Sequence, residues 1–222
     1  MSAARERILR RLRAAQASHA GGRASGLSRP SIQRRRRMIP PQEQTTEQRI
    51  EQFILAAEKL GSFVQRVAGP GEAVEQIMSL LAGDSRALAW EAAQLPIPDL
   101  RDMLAALGVE IAAQADEEAR VGITGVSAAL AGTGSLVLES GAGRYRATSL
   151  LPDLHIALLS PEQILPDLES WVEAQSKAGY RAFHDASNTV IISGPSKTAD
   201  IGHELVKGAH GPRELHILLL GA

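Results

Sequence analysis

The segment Thr189–Leu220 constrains the fold more than any other part of the chain. Thr189–Ser193 is a β-branched run closed by Gly194-Pro195, and it reads as a buried strand. Gly194–Asp200 follows as a turn rich in Gly, Pro, Ser and Thr. Ile201, Leu205 and Val206 then recur at helical spacing, so a helix is expected from Thr198 or Ala199. Ser196 or Thr198 would cap its first turn, and Asp200 suits the positive end of its dipole. Gly208 and Gly211-Pro212 stop it. Leu215–Leu220 is a second apolar strand. Strand, helix and strand at this spacing form a βαβ unit, which implies a parallel sheet covered on its faces.

The turn carries the chemistry. Backbone N–H groups at a helix start, the hydroxyls of Ser196 and Thr198 and the Lys197 ammonium together suit an anion such as phosphate or carboxylate. The G-x-x-x-x-G-K-[ST] spacing is absent, so this is not a P-loop. The other reading is that Ser196 and Thr198 only cap the helix while Lys197 is solvated. Both stay open at this point.

Composition narrows the remaining possibilities. The 222 residues are 44% hydrophobic and only 3% aromatic, so the core is built from Leu, Ala, Val and Ile. There is no cysteine, which excludes disulfides, thiolate catalysis and iron–sulfur ligation by this chain. No apolar run approaches the ~20 residues of a membrane span. The start has arginines but no apolar signal region, so a cytoplasmic protein is expected. The six histidines are scattered and no HExxH, GxSxG or carboxylate pair appears, so neither metal nor cofactor is expected.

Charge divides the chain. Residues 1–40 hold 11 of the 24 basic residues and one of the 25 acidic ones, leaving 13 basic against 24 acidic beyond. The first part is near +10 and the remainder near −11. Ser2–Ala17 reads as a short amphipathic helix with Ile8, Leu9 and Leu12 on one face, and Ser18–Pro41 as a linker or flexible arm. No aromatic residue interleaves Arg34–Arg37, so no nucleic-acid partner is expected. The organisation is a basic helix and arm over residues 1–44 and an α/β domain over 45–222.

Within that domain, helices are expected over Thr46–Leu60, Gly71–Leu81, Leu100–Leu107 and Pro161–Gln175. Strands are expected over Phe63–Val67, Ala87–Trp90, Val109–Ile111, Leu136–Glu139 and His155–Leu159. Val121–Leu130 reads as a strand or turn leading into a short helix, and Tyr180–Ser187 as a loop. Gly132-Thr133-Gly134-Ser135 and Ser140–Arg144 are glycine turns flanking a strand, which permits close backbone approach to a ligand or another chain. His155, at the head of an apolar strand, reads as a structural histidine.

Three segments carry a family resemblance. Gly122–Leu138 (GITGVSAALAGTGSLVL), Pro152–Ile156 (PDLHI) and Ser193–Pro212 (SGPSKTADIGHELVKGAHGP) resemble the LUD-domain family, and RERILRRLRAA at Arg5–Ala15 is similar to its N-terminal start. The resemblance implies a three-layer α/β sandwich with a mainly parallel sheet, similar to the NagB/RpiA/CoA-transferase superfamily. It implies a non-redox subunit in L-lactate oxidation to pyruvate, beside an iron–sulfur subunit and a cysteine-rich subunit. It departs from the family pattern at Gly132, where many members carry Glu, and at Gly202, where TADIE is frequent. The missing carboxylate at Gly132 weakens a CoA-transferase-like mechanism, which needs a carboxylate nucleophile. Glu139 would replace it only by pointing into the same cleft.

The expected site is therefore an anion cleft. Gly194, Ser196, Lys197, Thr198 and Asp200 form its floor, and Thr133, Gly134 and Ser135 its facing edge. Lys197 and Arg144 supply charge, and His210 a polar contact. Two other function classes remain open on sequence grounds: an independent enzyme on a phosphorylated or CoA-linked small molecule, and a regulatory or scaffolding module.

Overall fold

The computed structural model describes residues 3–21, 43–112, 116, 118–199 and 205–221. The chain divides into two units, residues 1–40 and 41–222. In the first, helix α1 spans Ala3–Gly21, and the apolar side chains Ile8, Leu9 and Leu12 are exposed. The rest of the expected linker, including Arg34–Arg37, lies outside the described residues.

The second unit runs through α2 (Thr46–Lys59), β1 (Phe63–Val67), α3 (Pro70–Leu81), β2 (Arg86–Ala89), α4 (Leu100–Ala106) and β3 (Glu110–Ile111). It continues with β4 (Val121–Gly125), β5 (Ala128–Leu130), β6 (Ser135–Ser140), β7 (Leu154–Leu159) and β8 (Ile164–Leu165). The last elements are α5 (Leu168–Lys177), α6 (Arg181–Asp185), β9 (Asn188–Ile192), β10 (Lys197–Ala199), β11 (Leu205–Lys207) and β12 (Glu214–Leu220).

A six-stranded, wholly parallel sheet in the order β1-β12-β7-β4-β2-β3 forms the centre. Its middle strands are mostly apolar because both of their faces are covered, and every residue of β4 and β7 is buried, the polar Thr124 and His155 included. Helix α2 starts at a capping box: Thr45 accepts from the Gln48 N–H while the Gln48 side chain accepts from the Thr45 N–H. Its stripe Ile50, Phe53 and Ala57 is buried, as are Ala73, Val74, Ile77 and Leu81 of α3. Helix α3 packs on β1 and β12, α4 on β3, and α2 touches both β1 and β8.

A second sheet, β8-β5-β6-β9, lies beside the first. Strands β5 and β6 form an antiparallel hairpin, and β9 pairs antiparallel to β6 with Leu136 opposite Ile192. This corrects the βαβ expectation, because β9 and β12 belong to different sheets. The helix expected from Thr198 is also corrected. Lys197–Ala199 is a strand, antiparallel to Leu205–Lys207, with Thr198 opposite Val206. Two β-branched residues face each other there, and Val206 is exposed rather than buried on a helix face.

Three further readings change. Val121–Leu130 is two strands and no helix, since its run of small and branched residues is buried on both sides. Pro161–Gln175 is interrupted at Pro166, where a helix interior would lose a hydrogen bond. A 3-10 turn and β8 precede that break, and Asp167 caps α5 by accepting from the Ser170 N–H. Arg181–Asp185 is a short helix where a loop was expected.

Candidate functional site

Gly194, Ser196 and His210 meet at one cavity of about 230 Å³. It opens at the amino ends of β7 and β12, where Ser149, His155 and Pro212 complete the wall. Local hydrogen bonds fix its rim. The Ser196 N–H donates to the Pro212 carbonyl at 2.8 Å, and the Gly208 N–H to the Ser196 carbonyl at 3.0 Å. The turn after β9 is thus laced to the segment before β12.

His155 is the buried polar group of this cavity. It sits at 1% exposure on β7, with Nε2 2.8 Å from Thr124 Oγ1 on the adjacent β4. Two polar side chains on neighbouring buried strands satisfy each other, as buried groups must. Burial lowers the imidazole pKa from 6.5 to about 4, so the ring is neutral at pH 7. Among the described residues, Nδ1 has no hydrogen-bond partner.

The facing edge is connected through hydroxyls. Ser193, which also lines the cavity, lies 2.8 Å from Ser135 Oγ. Ser135 donates in turn to Thr133 Oγ1 at 2.9 Å, so its single proton leaves Ser193 as the donor to Ser135. Gly134 is held by packing instead. Its φ is +64°, and a Cβ there would stand 2.2 Å from the Ala57 nitrogen of α2.

The remaining expected residues separate from this cavity. Lys197 Nζ donates to the Leu60 carbonyl at 2.6 Å and so caps the end of α2. Gly194, at φ +87°, lets the turn approach the same carbonyl, which a Cβ would meet at 2.8 Å. Thr198 lies within β10, so the helix-start donors expected around it are not formed. Asp200 lies outside the described residues. Arg144 belongs to the opposite end of the sheet, where its Nη1 donates to Glu139 Oε2 at 3.3 Å. Glu139 therefore accompanies Arg144 and not Ser196. Thr124, Ser149, His155 and Ser193 were missed as site residues. The one signal for them was isolated polarity, such as the His of PDLHI inside an otherwise apolar strand.

Among the described residues, no group of His, Asp and Glu is arranged to hold a metal ion, and no helix is long and apolar enough to cross a membrane. The cavity offers hydroxyls and imidazoles on the margin of a parallel sheet.

The LUD domain model matches residues 50–220, and the chain belongs to the LUD domain family. The chain is 33% identical over 111 residues to Lactate utilization protein C of Exiguobacterium sp., covering 50% of this chain and 46% of that protein. Over 100 residues it is 35% identical to Lactate utilization protein C of Deinococcus radiodurans, 45% of either chain. It is 37% identical over 115 residues to the uncharacterized protein YkgG of Escherichia coli K12, covering 52% of this chain and 49% of that protein. The chain thus spans about half the length of the curated relatives it matches. A crystal structure of a DUF162 family protein from Deinococcus radiodurans shares the fold, with a TM-score of 0.58 and 23% identity over 81% of this chain and all of that one.

Proposed function

We propose that this LUD-domain chain serves lactate utilization as a non-redox component that binds a small carboxylate beside Ser196 and His155. One observation carries the reading: Ser149, Ser193, Ser196, His210 and His155 converge on a single cavity of about 230 Å³. The names of the relatives from Exiguobacterium and Deinococcus support the setting. In this reading, as the family resemblance implies, iron–sulfur and cysteine-rich partner subunits take the electrons from lactate, and the absence of cysteine here is consistent with a component that ligates no cluster itself.

The cavity would grip its occupant through neutral donors. Lys197 is committed to Leu60, and no Lys or Arg is among the lining residues. Neutral hydrogen bonds contribute about 0.5–1.5 kcal/mol each. Three or four of them correspond to millimolar binding, near −4.1 kcal/mol. At a hundredfold excess over Kd, such a ligand stabilises the native state by about 2.7 kcal/mol.

Thermal melts of the full chain with L-lactate, pyruvate, phosphate, sulfate and CoA test the proposal. L-lactate or pyruvate should raise the melting temperature, and Ser196→Ala or His155→Asn should remove that rise. A response to CoA or phosphate alone would favour the independent enzyme on such substrates. No response to any of the five would remove the cavity from consideration.

A further inference from the structure

The order of the parallel sheet reverses between β2 and β4. Strand β2 leads outward to β3, whereas β4 leads the other way, through β5 and β6, to β7 and then β12. At such a reversal the flanking connections part, leaving a crevice outside the carboxyl ends of the two strands, where open α/β sheets take ligands. In this chain the crevice is a cavity of about 290 Å³. Trp90 enters it directly after β2, and Gly125, Val126 and Ser127 enter it at the end of β4.

Arg144 reaches this cavity from the turn after β6. The turn is tightly held. Gly141 and Arg144 exchange backbone hydrogen bonds at 3.1 Å, the Glu91 N–H donates to the Gly143 carbonyl at 2.9 Å, and the Trp90 indole N–H donates to the Tyr145 carbonyl at 3.2 Å. With Nη1 on Glu139, the guanidinium still has a buried Nε–H without an acceptor. That donor is closed off from water, so the groups Arg144 can turn toward an occupant are its terminal guanidinium nitrogens, of which Nη1 already serves Glu139. The Ser127 hydroxyl and the Gln94 side-chain amide also make no hydrogen bond among the described residues.

We propose that this cavity is a second ligand site, distinct from the one beside Ser196, and that it takes a small organic monocarboxylate held against the terminal nitrogens of the Arg144 guanidinium. Charge and lining set that class. Arg144 is the one charged residue among those lining the cavity, and Glu139 already offsets part of its charge. A dianion such as phosphate would face Glu139 with no further cation to balance it. Trp90, Leu95, Pro96 and Val126 line the remainder and suit a short carbon skeleton.

Trp90 makes the site directly readable. The chain has two tryptophans, so Trp171→Phe leaves Trp90 as the single indole. Titration of that full-length variant with L-lactate, butyrate and inorganic phosphate, followed by Trp90 emission, tests the proposal. The two carboxylates should give saturable changes and phosphate none. Arg144→Gln should weaken the response about tenfold or more, and Ser127→Ala by about threefold. Ser196→Ala should leave it unchanged, which separates this site from the other cavity. If Arg144→Gln does not fold, the Ser127→Ala titration decides in its place. A flat Trp90 signal with both carboxylates, a response to phosphate alone, or an unaltered titration in the folded variants would overturn the assignment.

Discussion

His155 ties stability to pH. Its imidazole is neutral in the fold down to about pH 4, because burial penalises the charged ring. The unfolded chain protonates the same group near 6.5. Between those values the unfolded state holds more protons, so stability is fully present above pH 6.5 and falls as pH drops toward 4. At about 1.36 kcal/mol per pH unit, this one group removes up to roughly 3 kcal/mol. Urea unfolding across that range measures the slope, and His155→Asn should flatten it. Thr124→Val should cost about 1–3 kcal/mol at pH 7, since it leaves Nε2 buried and unpaired. Gly134→Ala should cost about 1–3 kcal/mol from crowding against Ala57, besides the strain of a positive φ. Chemical denaturation at neutral pH reads both.

At the scale of elements, Lys197 joins β10 to the end of α2 across the fold. A cation on the last carbonyls of a helix is worth about 0.3–1 kcal/mol. Lys197→Ala should therefore lower the melting temperature by about 1–3 °C with no ligand present, while the response to L-lactate survives. A ligand-holding lysine would behave the opposite way, so one pair of melts separates the roles. The same segment explains what could be read in advance. Strands β7 and β12 and helix α3 were legible because their apolar patterns state their own burial. The sheet to which β9 belongs was not, because the four β-branched residues Thr189–Ile192 carry no record of their neighbour. Three apolar positions after Thr198 were too few to separate a helix from a hairpin. Ser196 and His210 stood out through their motif. The contact between His155 and Thr124 depends on the register that sets Gly122 opposite His155, and no local pattern encodes it.

For the whole molecule, the division of charge makes a prediction about assembly. Residues 1–40 are near +10 and the rest near −11, and the arginines of α1 in the described range are exposed. If partner subunits are held through this basic part, a tagged full chain should retain iron-bearing partners at low salt. Removing residues 1–40, or raising salt until the Debye length falls well below ~10 Å, should release them. Equal retention by the shortened chain would show that the contact lies in residues 41–222. The sheet order has another consequence, for synthesis. Strand β12 is the last described strand, yet it lies between β1 and β7. A ribosome that has delivered everything through β11 has still made no partner for the inner edges of β1 and β7. Both edges stay open on the nascent chain until residues 214–220 emerge, when the sheet closes in a single late step. Stalled translation just upstream of Glu214 would therefore yield a chain with two unpaired strand edges, a substrate for chaperones and aggregation rather than a slightly shortened native protein.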